Sequence, residues 1–143
     1  MRTKVKIINK HLRIIFFLSL AGILLSSYMV YYHYSVRNNP SSTWCNINSF
    51  INCDNILLSS YSEIAGIPLG VFGAIWFLIN VGISFFVKDK NILFIWCMIG
   101  LAFVLFLVSA ELLVLHSICL LCTGVHILVT AIFITCLLYI RKN

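Results

Sequence analysis

Acidic side chains are nearly missing from this chain: four Asp and Glu occur among 143 residues, against ten Lys and Arg. With 62% hydrophobic residues and so little charge, the sequence is far more apolar than a soluble domain of this size needs, and it reads as an integral membrane protein. Long internal repeats and low-complexity segments are also lacking, so residues 1–143 read as one domain. Proline is rare. Pro40 opens the one loop-like stretch, Pro40, Ser41, Ser42 and Thr43, and Pro68 suits the first turn of a helix, where a missing N–H costs nothing.

What is present in abundance is long uncharged sequence: residues 14–36, 64–87, 91–110 and 112–140. Each is near or above the roughly 20 residues that carry a helix across a bilayer. The fold class expected is all-α, a bundle of four transmembrane helices at about 14–36, 66–87, 91–111 and 117–140, with an outer loop at 37–65. Arg2, Lys4, Lys6, Lys10 and Arg13 precede the first span, Lys88 and Lys90 separate the second from the third, and Arg141 and Lys142 follow the fourth. By the positive-inside rule these groups, and with them both termini, are cytoplasmic. The loop at 37–65 and the turn near 112–118 then face outward with Arg37 as their basic residue. The net charge of +6 is therefore a topology signal rather than a sign of nucleic-acid binding. A cleaved signal peptide is the rival reading of the first segment, but its apolar run is long and ends in Tyr28, Tyr31, Tyr32 and Tyr34, an interfacial belt rather than a small-residue cleavage site.

In the outer loop, Asp54 to Glu63 reads either as a short amphipathic surface helix or as irregular chain, and Trp44 and Tyr61 as interfacial anchors. Gly66, Gly70, Gly73 and Ala74 give the second span a small face for close packing. Glu111 and His116, near the outer end of the third span, are expected to snorkel to the headgroups.

The six cysteines carry the chemistry. Topology places Cys45 and Cys53 in the outer loop and Cys119 and Cys122 at the outer end of the fourth span, four thiols on one side of the membrane. In a bacterial periplasm or an endoplasmic reticulum lumen such thiols persist as disulfides or as redox pairs. Cys119 and Cys122 stand at i and i+3 of a helix start, where both sulfurs share a face and the helix N-terminus favours a thiolate. Cys97 and Cys136 fall in the cytoplasmic half and read as small buried apolar residues. His116, Cys119, Cys122 and His126 also spell HxxCxxCxxxH, a spacing that zinc or iron accepts, so a non-enzymatic metal-binding membrane protein is one alternative, and a bundle with structural disulfides is another. No metal is assigned, because a metal at that motif leaves Cys45 and Cys53 without a role. Thr123 after Cys122, where haem attachment needs His, argues against haem.

Cys45, seven intervening residues, Cys53, the run CDNILLSSYSEIAGIPLGVFG from Cys53 to Gly73, and then Cys119-Leu-Leu-Cys122 together resemble the vitamin K epoxide reductase family, over nearly the whole chain. The resemblance implies a bacterial-type stand-alone homologue, its four helices surrounding a quinone pocket that the outer loop caps. It implies that Cys119 and Cys122 are the active-site pair, with Cys122 at the quinone and Cys119 exchanging with the loop, and that Cys45 and Cys53 are the shuttle pair. Ser59 matches a serine near the loop pair, a donor to a quinone oxygen or a thiolate. Where vertebrate members carry a tyrosine and an asparagine, this chain has His126 and Leu69, which points away from a vitamin K epoxide, while His126 remains a donor to a quinone carbonyl.

The function expected is that of a membrane thiol:quinone oxidoreductase in a bacterial inner membrane, with its redox cysteines periplasmic. It would oxidise a thioredoxin-like, DsbA-like partner through Cys45 and Cys53 and pass electrons through Cys119 and Cys122 to ubiquinone or menaquinone, supporting disulfide formation. Only Arg141, Lys142 and Asn143 follow Ile140, so the partner is expected to be a separate protein. Reduction of vitamin K or its epoxide is the alternative within enzymes.

Overall fold

The computed structural model describes residues 2–39, 44–87 and 89–142. Pro40 to Thr43, the loop-like stretch, and Lys88, one of the basic topology markers, lie outside the described residues. Among the described residues, four helices are long and apolar enough to cross a membrane, Lys10–Asn38, Leu69–Phe86, Lys90–Val114 and Leu120–Arg141. Only 22% to 33% of each apolar window is buried within the protein. Side chains such as Leu24, Phe86, Leu105 and Leu113 point outward, which a lipid environment accommodates and water would not.

Helix α1 (Arg2–Asn38) is the central element, packed between α3 (Leu69–Gly82) and α5 (Leu120–Arg141), while α4 (Lys90–Ser109) lies against α5. Small residues set the close approaches. A side chain at Gly70 would collide with Val30 and the Ser26 carbonyl, and one at Gly124 with Leu25, so these glycines let α3 and α5 sit directly on α1.

Local chemistry explains where the helices begin. Pro68 precedes α3, as its fixed φ favours. The Asp89 carboxylate accepts from the N–H groups of Asn91 and Ile92 at 2.8 and 3.4 Å, capping α4. Helix α5 is capped by a thiol, since Cys119 has extended backbone and its sulfur accepts from the Cys122 N–H at 3.4 Å. Residues 117–119 thus precede the fourth helix rather than opening it, and α3 begins at Leu69, leaving Gly66 in a turn. Both α3 and α4 end in π-helical turns, Ile83–Val87 and Ala110–Val114, so the third span runs past Glu111.

The segment from Asp54 to Glu63 holds a short helix, one of the two forms expected, but only in its first half. It divides into α2 (Cys53–Leu57), a 3-10 turn at Ser60–Ser62 and a hairpin of β1 (Glu63–Ile64) with β2 (Ile67–Pro68). Ala65 and Gly66, both at positive φ, make the two-residue turn that matches strand twist. Among the belt tyrosines, Tyr32 is buried rather than interfacial, its hydroxyl donating to the Asp54 carboxylate at 3.1 Å.

Candidate functional site

The outer loop is fastened over the bundle by hydrogen bonds that fix Cys53 beside Cys119. Ile51 pairs in parallel with Ile118: the Ile118 N–H donates to Phe50 at 2.7 Å and the Asn52 N–H to Ile118 at 3.0 Å. The cysteines one and two residues further on therefore emerge side by side. Asn55 donates to the Ser117 hydroxyl at 2.8 Å, and Asp54 receives Tyr32 and, at 2.7 Å, Asn46. Such a network pairs the polar groups of the loop with those of the bundle beneath it.

Cys45 and Cys53 form a disulfide with Cα atoms 5.6 Å apart, whereas Cys119 and Cys122 are free thiols. The sulfurs of Cys45, Cys53 and Cys119 all lie within 4.8 Å of one another, and all three residues are fully buried. A thiol beside a disulfide at that range is placed for exchange by nucleophilic attack. The Cys119 thiol is held below the ordinary thiol range, first by the Cys122 thiol that hydrogen-bonds to it and then by the N–H groups of Cys122 and Leu121, against the opposing effects of burial and of Glu111. Cys119 is thus the better nucleophile of the pair.

Among the described residues this sulfur trio is the one group of three metal-ligating side chains. Two of its sulfurs are bonded to each other, and the HxxCxxCxxxH residues do not come together as a ligand set, His116 being exposed.

Cys122 faces a different environment. It lines a cavity of about 360 Å³ between the helices, whose wall is mostly apolar and includes Leu69, Phe72, Trp76, Trp96 and Phe103. That volume and lining suit a flat, lipid-soluble ligand. His126, one helical turn from Cys122, lines the same cavity and is buried. Ser59 does not: it borders a separate hollow with Asn46 and Asp54, and its hydroxyl donates to the Ile56 carbonyl at 2.6 Å. Ser62 is the serine of that segment that reaches the cavity wall, and Tyr61 lines the cavity too, whereas Trp44 is exposed and donates to Tyr28 at 3.3 Å.

Two ionisable residues, Glu111 and His33, line this cavity without a sequence pattern that marks them for it. Glu111 does not snorkel. It is buried, borders the cavity, and its carboxylate accepts the Cys119 backbone N–H. Its position on a π-helical turn, a feature frequent at functional sites, has no hydropathy signature. His33, hidden among the belt tyrosines, is also buried at the cavity wall, with Nε2 2.9 Å from the Glu63 carboxylate.

The remaining thiols, Cys97 and Cys136, are buried as expected and also hydrogen-bond each other, with the Cys97 sulfur 3.9 Å from the Asn80 side-chain oxygen.

Compared with known proteins, the chain matches the vitamin K epoxide reductase family over residues 13–137. No curated protein matches it.

Proposed function

The chain belongs to the vitamin K epoxide reductase family, a family of membrane thiol-disulfide oxidoreductases, and from that premise we propose that it oxidises a thioredoxin-like partner and reduces a membrane quinone. The single observation that carries this reading is the split position of the CxxC pair: Cys119 lies within 4.8 Å of the loop disulfide sulfurs while Cys122 lines the apolar cavity. One cysteine faces the protein electron donor's route and the other faces a lipid-soluble acceptor.

The cycle follows from thiolate chemistry. With Cys45 and Cys53 oxidised and Cys119 and Cys122 reduced, two electrons sit on the inner pair. Quinone takes those electrons and two protons, becoming quinol, as Cys119 and Cys122 close to a disulfide. A dithiol partner then reduces the Cys45–Cys53 disulfide and leaves as a disulfide itself. The Cys53 thiolate attacks Cys119, Cys122 departs as the reduced sulfur, and Cys45 attacks Cys53 to release Cys119 and restore the loop disulfide. In the reverse exchange the lowered thiol of Cys119 is the attacking group. The two directions share one mixed disulfide.

Glu111 and His126 stand beside Cys122 at the cavity and are the groups through which the protons taken up by quinone are exchanged. His126 takes the donor role at a quinone oxygen that Ser59, bonded to Ile56 and outside the cavity, does not. With the termini cytoplasmic and the loop periplasmic in a bacterial inner membrane, the partner would meet Cys45 and Cys53 from the aqueous side.

Purified protein in detergent, supplied with a reduced thioredoxin-like protein and either a benzoquinone or a naphthoquinone, should reduce the quinone optically. Turnover that needs both Cys119 and Cys122 supports the reading, and no turnover with either quinone class overturns it.

A further inference from the structure

We propose that His33, held by Glu63 and Arg37, is a second hydrogen-bonding point for the quinone head group, in the wall of the same cavity that Cys122 lines. The inference rests on the quinone reading above and adds to it a recognition residue.

Three observations carry it. His33 is 1% exposed and lines the cavity, yet its Nδ1 has no hydrogen-bond partner among the described residues. Buried ring nitrogens are normally paired, so an unpaired one at a cavity wall is a group kept for a ligand. Its other nitrogen, Nε2, lies 2.9 Å from Glu63 Oε1, the same oxygen that accepts Arg37 Nη1 at 2.7 Å. This carboxylate fixes the ring in place, as carboxylates orient histidines at other binding sites. Finally, the three residues join the end of α1 to the hairpin at Glu63–Pro68, so the ring sits where the loop closes over the cavity.

The helix directions bring the ring toward Cys122. Gly124 packs on Leu25, so α5 descends beside the rising α1, and Cys122 falls near the level of residues 26 to 28. Side chains lean toward the N-terminus of their own helix, which tips His33 inward along α1 and Cys122 outward along α5. The chemistry suits both ends of the reaction. An imidazolium donates Nδ1–H to a quinone carbonyl, and the neutral ring with its proton on Nε2 accepts at Nδ1 from a quinol hydroxyl.

The test is binding as well as turnover. Trp76 and Trp96 line the cavity, so quenching of tryptophan fluorescence reports its occupancy by menadione or a decyl benzoquinone. His33→Leu should raise the dissociation constant of both probes about tenfold, the worth of one hydrogen bond, and leave the KM for dithiothreitol unchanged. His33→Gln, which restores a hydrogen-bonding group, should recover part of that loss. Glu63→Ala, which keeps the Nδ1 group but removes the carboxylate that orients the ring, should weaken binding by only about threefold. Wild-type affinity in His33→Leu, or an equal loss in Glu63→Ala, overturns the proposal. Failure of the wild-type protein to bind or reduce either quinone would instead overturn the reading on which it rests.

Discussion

Two sets of thiols occupy the two halves of this bundle, and their surroundings differ in kind. At the end that carries the loop, Cys119 has N–H donors, a neighbouring thiol and a disulfide electrophile within reach, and Cys122 borders a cavity. In the opposite half, Cys97 and Cys136 have each other and the Asn80 amide, with no disulfide beside them among the described residues and full burial in the apolar core. Sulfur is the same element in both places. Reactivity follows from what stabilises the thiolate and what stands ready to be attacked, so equal burial does not mean equal chemistry.

That contrast predicts a sharp split between substitutions. Cys119→Ser or Cys122→Ser should cut quinone reduction on the order of a thousandfold, as loss of a covalent nucleophile does, measured optically with any thiol donor. Activity near wild type in either variant would erase the distinction at the loop end. Next in size, Cys45→Ser or Cys53→Ser should abolish oxidation of a protein dithiol while sparing turnover with dithiothreitol. Parallel assays with the two donors check this, and equal loss with both would show that the loop pair is no shuttle.

Asp54→Ala removes the acceptor of Tyr32 and Asn46 that anchors the loop. It should lower stability by about 2 kcal/mol, followed by thermal unfolding in detergent, and slow transfer from the loop to Cys119. Smaller still, Cys97→Ala or Cys136→Ala should leave turnover within about twofold, the change confined to a modest loss of packing in the core. A large activity loss there would break the comparison from the opposite side.

A pH series sharpens the half that carries the loop. Because hydrogen bonds hold the Cys119 thiol below its ordinary range, the thiolate is present at lower pH than for a free cysteine. The rate of its attack on the loop disulfide should therefore rise with pH and level off below the roughly 8.5 of an unperturbed thiol. Stopped-flow exchange from the Cys119 side measures this, and a rate still climbing above that pH would contradict the lowered value.

Much of this architecture is written in patterns of long range. Four uncharged runs announce four spans, because a bilayer imposes length and apolarity on every residue that crosses it. The CxxC at the start of the last run announces a thiol set among backbone donors, because helix N-termini present N–H groups. What escaped depends on which way single side chains turn. Glu111 looks like a snorkelling end-of-span carboxylate until the π-helical turn and the Cys119 N–H draw it inward. His33 looks like one more belt residue until Glu63, thirty residues away, folds back over it. Ser59 and Ser62 are equivalent as letters, and only the 3-10 turn between them decides which one reaches the cavity.

On the proposed mechanism, electrons cross between the loop and the helix pair through one mixed disulfide. The direct measurement is peptide mapping by mass spectrometry of the Cys45→Ser/Cys122→Ser variant after alkylation of free thiols under non-reducing conditions. With the resolving sulfurs removed, the Cys53 and Cys119 thiols should give up two electrons and two protons to quinone or dissolved oxygen and be found joined as a disulfide in the membrane-extracted protein. Cys53 and Cys119 both recovered as alkylated thiols, under conditions where wild-type Cys45–Cys53 is oxidised, would contradict it.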